Sequence, residues 1–174
     1  MSFHGGLLGV MAALIVWSKV TRHAFFKVTD ALVLLAPWAL MLGRLGNFIN
    51  GELYGRISES GNWCLNFPTD IANCRYPSQL FEAVGEGPLL FLILIMVARR
   101  LKGHGRSDGL LSAVFLAGYG LIRFTIEFWR EPDVQIGYFW NFFTEGQLLS
   151  LGMIGVAAAL FITRWRHDPV MNRS

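Results

Sequence analysis

Apolar residues run through this chain in five long blocks, at 3–20, 31–47, 80–98, 109–128 and 147–165, separated by short polar stretches. Each block approaches the roughly 20 residues that a helix needs to cross a 30 Å hydrocarbon layer. Strand-like alternation is absent from them, so the pattern predicts an all-α polytopic membrane protein with about five transmembrane helices. The first block has no basic n-region and no small-residue cleavage site, and it reads as a span rather than a signal peptide. Pro37 lies inside the second block, where its ring removes a backbone donor and predicts a bend. The stretch 51–77 is polar and predicts a short outer loop region. The whole chain, 1–174, reads as a single membrane domain.

The second block ends unusually. Residues 43–55 read GRLGNFINGELYG, so an arginine, two asparagines, a glutamate and four glycines follow directly on an apolar run. A charge at bilayer depth costs about 2.5–3.5 kcal/mol even on the lenient insertion scale, so Arg44 requires an anionic partner or a wet cavity. Glycines at 43, 46, 51 and 55 remove side-chain bulk, which lets backbone and ligand approach closely. The stretch is therefore expected to grip an anionic head group.

Composition agrees with the apolar pattern: 53% of residues are hydrophobic and only 16% charged, with a mean hydropathy of +0.44, too apolar for a soluble domain of this length. The formal net charge of +3 does not indicate a nucleic-acid partner, because the basic residues fall in short clusters between spans instead of along one stripe. Lys19, Arg22 and Lys27, then Arg99, Arg100, Lys102 and Arg106, then Arg164, Arg166 and Arg173 place ten of the fifteen Lys and Arg on one side. That side is cytoplasmic by the positive-inside rule, which puts the N-terminus of this chain outside and its C-terminus inside. Cys64 and Cys74 then fall on the outer side, where either a disulfide or two free thiols fit the compartment. No His or acidic residue is spaced with them as a metal ligand set.

With that orientation, Arg44 and Arg123 each lie 14 residues in from the inner end of their block, counted from Asp30 and Gly109. Both reach about 21 Å, in the outer half of the bilayer. His4, Gln79 and Glu82 stand at the outer ends of blocks one and three. In block four, Tyr119, Arg123 and Glu127 recur at i, i+4 and i+8 and share one helical face. Two readings follow: Arg123 and Glu127 neutralise each other as a structural pair, or Glu127 orients Arg123 toward an external anion, for which paired guanidinium groups suit phosphate oxygens.

These stretches carry a resemblance. The pieces SFHGG at 2–6, GRLGNFINGELYGR at 43–56, YPSQLFE at 76–82 and GYGLIRFTIEFWREPD at 118–133 resemble, in order and across nearly the whole chain, the C-terminal part of bacterial prolipoprotein diacylglyceryl transferases. The family carries an additional N-terminal portion with further helices, so the resemblance implies a C-terminal portion of a longer inner-membrane enzyme. It implies transfer of the diacylglyceryl group of phosphatidylglycerol to the lipobox cysteine thiol of a prolipoprotein signal peptide, with no metal or redox cofactor, among membrane lipids and without nucleic acid. It further implies that Arg44 and Arg123 hold the phosphate, that Asn47, Glu52 and Gly55 belong to the substrate-binding motif, and that Tyr119 and Glu127 line the site. His4 is either the base for the thiol proton or a residue that binds an interfacial phosphate or caps the chain. Tyr119 is either a substrate contact or a packed core residue, and Gly55 either a close-packing position or an ordinary loop glycine. Tyr76 stands where relatives often carry histidine and receives no catalytic part. Two other classes stay open: an anionic-lipid transporter or flippase, which could also hold intramembrane arginines, and a non-catalytic membrane scaffold, which would explain the apolar spans and small-residue contacts such as Gly152 to Gly155 but not the meeting of Arg, Asn and Glu.

Overall fold

A computed structural model describes residues 3–102, 108–131, 138–139 and 143–166. Helix α1 (Phe3–Thr21) leads into the short α2 (Phe25–Leu32) and then α3 (Ala36–Ile49). The last two form a pair bent by 46°, and Pro37 sits in the first turn of α3, where its missing N–H has no helical partner to lose. The bend expected near Pro37 in block 31–47 is present, as a break between two helices. Val33 and Leu34, in that break, pack against the core.

An arm follows, containing the antiparallel ribbon of β1 (Leu65–Phe67) and β2 (Asp70–Arg75). Leu65 pairs with Arg75 and Phe67 with Asp70 across a register irregularity, and Pro68 and Thr69 make the two-residue connection. A disulfide joins Cys64 to Cys74 beside the open end of the ribbon, which decides between the two readings of these cysteines. The region at 51–77 is therefore a structured arm. A second small ribbon pairs β3 (Tyr138–Phe139) with β4 (Phe143–Thr144). The fold is mostly helical but not all-α.

Helix α4 (Ser78–Val84) runs through a π-helical turn, Gly85–Leu89, into α5 (Leu90–Lys102). The wide turn occurs where Gly85, Gly87 and Pro88 interrupt the sequence, and Pro88 cannot donate to the preceding turn. Helix α6 (Leu110–Ile126) and α7 (Glu145–Arg166) complete the molecule. Gly120 of α6 allows close approach to α7: an added Cβ would lie 3.0 Å from the Ser150 carbonyl and 2.9 Å from Ile154, the small-residue packing expected where lipid supplies no hydrophobic drive between helices. Leu90, Leu94 and Leu111 form the buried centre between α5 and α6.

At the far end from the arm, Asp30 accepts hydrogen bonds from the Gly109 and Ser112 amides, both at 2.8 Å, and from the Ser112 hydroxyl at 2.6 Å. It thereby satisfies two of the orphan donors at the start of α6. Gly109 takes a left-handed φ of 101° with Phe26 packed against it, an arrangement open to glycine alone.

Two helices, Ser78–Leu101 and Glu145–Arg164, are long and apolar enough to cross a membrane, and the bent pair raises the number to three. Leu8–Thr21 and Leu110–Ile126 are shorter apolar helices. The chain is a helical membrane protein in which five full crossings are not established by helix length.

Candidate functional site

The polar residues that interrupt the apolar blocks meet at the arm end of the helices. Glu82, on α4, is 1% exposed and forms the centre. Its Oε2 lies 3.1 Å from Arg44 Nε, its Oε1 accepts from Arg123 Nη1, and Arg130 Nη1 stands 3.6 Å from the same oxygen. Glu86, one turn further along and fully buried, accepts from Arg44 Nε at 3.1 Å. Glu127 pairs with Arg123 Nη2 at 3.2 Å. Three arginines thus face three carboxylates, and the cluster is formally neutral as it stands. The equal depth of Arg44 and Arg123 expected from spacing has a direct counterpart: both grip one carboxylate.

Local structure explains why each group stays in place. Thr144 caps α7 with a reciprocal pair of bonds to Gln147 (Thr144 N to Gln147 Oε1, 3.1 Å; Gln147 N to Thr144 Oγ1, 3.2 Å), a capping box. The Thr144 hydroxyl also donates to Glu127 Oε1 at 2.9 Å. Gly146, in the first turn of α7, leaves room for that carboxylate, since a Cβ there would approach it to 2.7 Å. On the arm side, the Gly55 amide donates to the Tyr76 carbonyl at 2.8 Å, the Arg56 amide to the Trp129 carbonyl at 3.0 Å, and Arg56 Nε to the Arg130 carbonyl at 2.9 Å. These bonds stitch the arm to the end of α6 and position Arg130. Gly55 is the close-packing residue of its motif, because an added Cβ would fall 2.8 Å from the Tyr76 carbonyl oxygen. At Gly43 and Gly46, by contrast, an added Cβ meets no described atom within 4 Å, so the space beside them is open among the described residues.

Burial together with the neighbouring Arg123 charge holds the Arg130 guanidinium below its ordinary pKa. Further out on the arm, Arg75 binds Asp70 and Glu131 and lies over the Tyr54 ring at 4.7 Å from its centroid. Its hydrogen bond lowers Asp70 below the usual carboxylate value.

The remaining motif residues are distributed differently. Tyr119 stacks on Phe115 at 6.0 Å and packs on the core cluster, while interacting electrostatically with Glu86, Arg123 and Arg44. Glu52 is brought to the site through its backbone: its carbonyl accepts from Gln79 Nε2 at 2.7 Å, and its exposed carboxylate makes no ion pair among the described residues. The Asn47 carbonyl closes the end of α3 by accepting from the Glu52 amide at 2.9 Å. His4 belongs to the first turn of α1, and its side chain lies outside the described residues. Glu86 and Arg130 are members of the cluster that the spacing argument did not single out. For Glu86 the signal was present, since it is i+4 from Glu82, whereas Arg130 lies beyond the end of α6 and is placed by its bridge to Gly55.

The family model for prolipoprotein diacylglyceryl transferase matches residues 1–163. The chain belongs to that family. It is similar to proteins named phosphatidylglycerol–prolipoprotein diacylglyceryl transferase from Photobacterium profundum, at 44% identity over 97% of this chain and 62% of the relative. It is likewise similar to those of Paramagnetospirillum magneticum, at 46% over 92% and 59%, and Geobacter sulfurreducens, at 47% over 97% and 64%. The chain thus spans about 60% of the length of the curated relatives it matches. The family match covers all three segments that build the cluster: α3, α4 with its π-turn, and α6 with the start of α7.

Proposed function

We propose that this chain carries the transfer site of a diacylglyceryl transferase acting on phosphatidylglycerol and a prolipoprotein lipobox cysteine. The observation that carries the reading is how Arg44 is held. Both carboxylates take its Nε, and its Nη1 and Nη2 make no hydrogen bond or ion pair among the described residues. A guanidinium anchored by one edge presents a fixed two-donor fork, the geometry that matches phosphate oxygens. Arg123 and Arg130 converge on the same carboxylate and add positive charge where a phosphodiester would settle.

The chemistry is substitution at saturated carbon. The cysteine sulfur forms an S–C bond to the glyceryl carbon, the C–O bond to phosphate breaks, and its electron pair leaves with the phosphate oxygen. The thiol proton passes to a base, for which His4 is proposed, and the products are a thioether and glycerol phosphate. Charge grows on the leaving phosphate in the transition state, so donors already fixed by Glu82 and Glu86 stabilise it without reorganising. Asn47 and Tyr119 are proposed to contact the glycerol or phosphate, and Glu127 to orient Arg123. The proposed setting is the bacterial inner membrane, with five crossings that include the two shorter helices and the site toward the periplasm.

The test is label transfer from phosphatidylglycerol to a lipobox peptide in membranes containing the full chain. Arg123→Ala and Arg44→Ala are expected to abolish transfer, and Lys102→Ala to leave it intact. Full activity in Arg123→Ala would refute the phosphate assignment. His4→Asn is expected to lower turnover more than lipid affinity. Unchanged turnover with weaker lipid binding would make His4 a head-group ligand instead.

A further inference from the structure

Beside the ionic cluster lies a cavity of about 310 Å³ lined by Trp63, Phe81, Ile126 and Trp129. Every described lining residue is apolar. The cavity and the cluster are built on the same turns of chain: Phe81 precedes Glu82, Ile126 precedes Glu127, and Trp129 precedes Arg130. At these three places one residue lines the cavity and the next joins the ionic cluster, so a ligand spanning both meets an apolar and a charged compartment carried on the same backbone.

The fourth wall comes from the arm. Trp63 is 84% exposed, and it holds a left-handed φ of 56°, uncommon for a bulky non-glycine residue. It adjoins Cys64, whose disulfide to Cys74 closes the ribbon. The same arm is stitched to the cavity's own residues through the Arg56 amide on the Trp129 carbonyl. An exposed tryptophan in an unfavourable backbone conformation, clamped by a covalent link and facing an apolar recess, is a functional feature in search of an occupant.

We propose that this recess binds the apolar residues of the substrate peptide that flank its reactive cysteine, with Trp63 as the wall that closes over them. The inference rests on the transferase reading above. Signal peptides supply the required chemistry, because their h-region is a continuous apolar stretch. The recess lies at the arm, on the outer side of the Glu82 cluster, which is where a translocated peptide arrives. The acyl chains of a lipid whose phosphate sits on Arg44 extend away from the arm into the membrane. The apolar recess therefore fixes the peptide, and the arginines fix the lipid, with the thiol brought between them.

The test uses the full chain in vesicles of phosphatidylethanolamine and phosphatidylglycerol. Trp63→Ala is expected to raise KM for an apolar lipobox peptide about 5-fold, the factor that about 1 kcal/mol of aromatic packing is worth, with kcat and KM for the lipid unchanged. Cys64→Ser/Cys74→Ser should reproduce that selective change by freeing the arm. In a second measurement, a photoreactive phenylalanine analogue replaces Trp63, and the probe is a lipobox peptide whose cysteine is serine, so that binding is read without transfer. Cross-linking to this peptide, and not to one whose apolar residues are serine, supports the proposal. Unchanged peptide KM, absence of cross-linking, or cross-linking to lipid alone overturns it, the last result making Trp63 a membrane anchor. Cross-linking without any label transfer by the parent chain would retain the peptide site and reject the transferase reading. Transfer with no dependence on Trp63 would do the reverse.

Discussion

Under the proposed function Arg44 has two duties, to pair with Glu86 and to hold the phosphate, which one substitution cannot separate and a compensated pair can. Arg44→Ala removes the sole described partner of Glu86, which is fully buried and whose other oxygen already lacks a hydrogen bond. It also takes one of three cations from Glu82. Breaking a buried pair by deleting one member costs about 3–5 kcal/mol, because the other charge is left uncompensated. At the 2–4 °C per kcal/mol typical of chains this long, the melting temperature should fall by roughly 10 °C. In Arg44→Met/Glu86→Gln, the stranded charge is gone and the aliphatic stem of Arg44 is replaced in kind. Most of the lost stability should return. Transfer should not, since the phosphate fork is still missing. Thermal unfolding in detergent and label transfer from phosphatidylglycerol, measured on the parent, Arg44→Ala and the double variant, check both halves. If the double variant regains transfer, Arg44 is only a structural partner of Glu86 and the proposed clamp is refuted. If Arg44→Ala melts like the parent, the premise that Glu86 depends on Arg44 is wrong.

Further outcomes follow from the same geometry. Gly55→Ala forces a methyl against the Tyr76 carbonyl and should cost about 1–3 kcal/mol as an overpacking defect, read as earlier proteolysis of the arm. Gly146→Ala should push the Glu127 carboxylate off Arg123 and lower both transfer and melting temperature, whereas an unaltered rate would remove Glu127 from the site. Loss of the disulfide should destabilise the arm by about 3 kcal/mol on the chain-entropy model for a short loop, seen as faster amide exchange at 57–75 and not in α6. Asp70 is held below its usual carboxylate value by the Arg75 hydrogen bond, so its contribution to stability is complete above the unfolded-state pKa and disappears as pH falls through the lowered one. Asp70→Asn should therefore flatten the acid limb of the melting curve below about pH 4, and an unchanged limb would assign it to other carboxylates.

Much of the site was legible because a membrane makes buried charge conspicuous. An arginine in an apolar run must be compensated, so Arg44, Arg123 and Glu127 stood out from composition alone, and the i, i+4, i+8 rule placed Tyr119 on their face. Glu86 obeyed the same periodicity but lay beside glycine and proline signals that hid its helix, and Arg130 lies past the end of α6, where helical period places nothing. The two small ribbons were hidden for a related reason, since strands of two to six residues leave too little alternation to detect.

By itself, the amino-acid sequence determined the helical membrane class, the apolar blocks, the family motifs and the identity of the charged residues that had to meet. These are local or additive quantities: hydropathy sums along a segment, and side-chain direction follows helical period. Only the tertiary structure decided which carboxylate each arginine grips, because those contacts join residues 42 and 41 positions apart, Arg44 to Glu86 and Glu82 to Arg123. It also decided that α3 begins at a 46° break, that Cys64 meets Cys74, and that Gly55, not Gly43 or Gly46, is the glycine its neighbours require. Such pairings depend on how helices pack and where the arm is stitched back, and no spacing along the chain encodes that choice. The glycine-rich stretch at 43–55 thus placed an arginine inside an apolar run, and the fold supplied the two carboxylates, Glu82 and Glu86, that hold it.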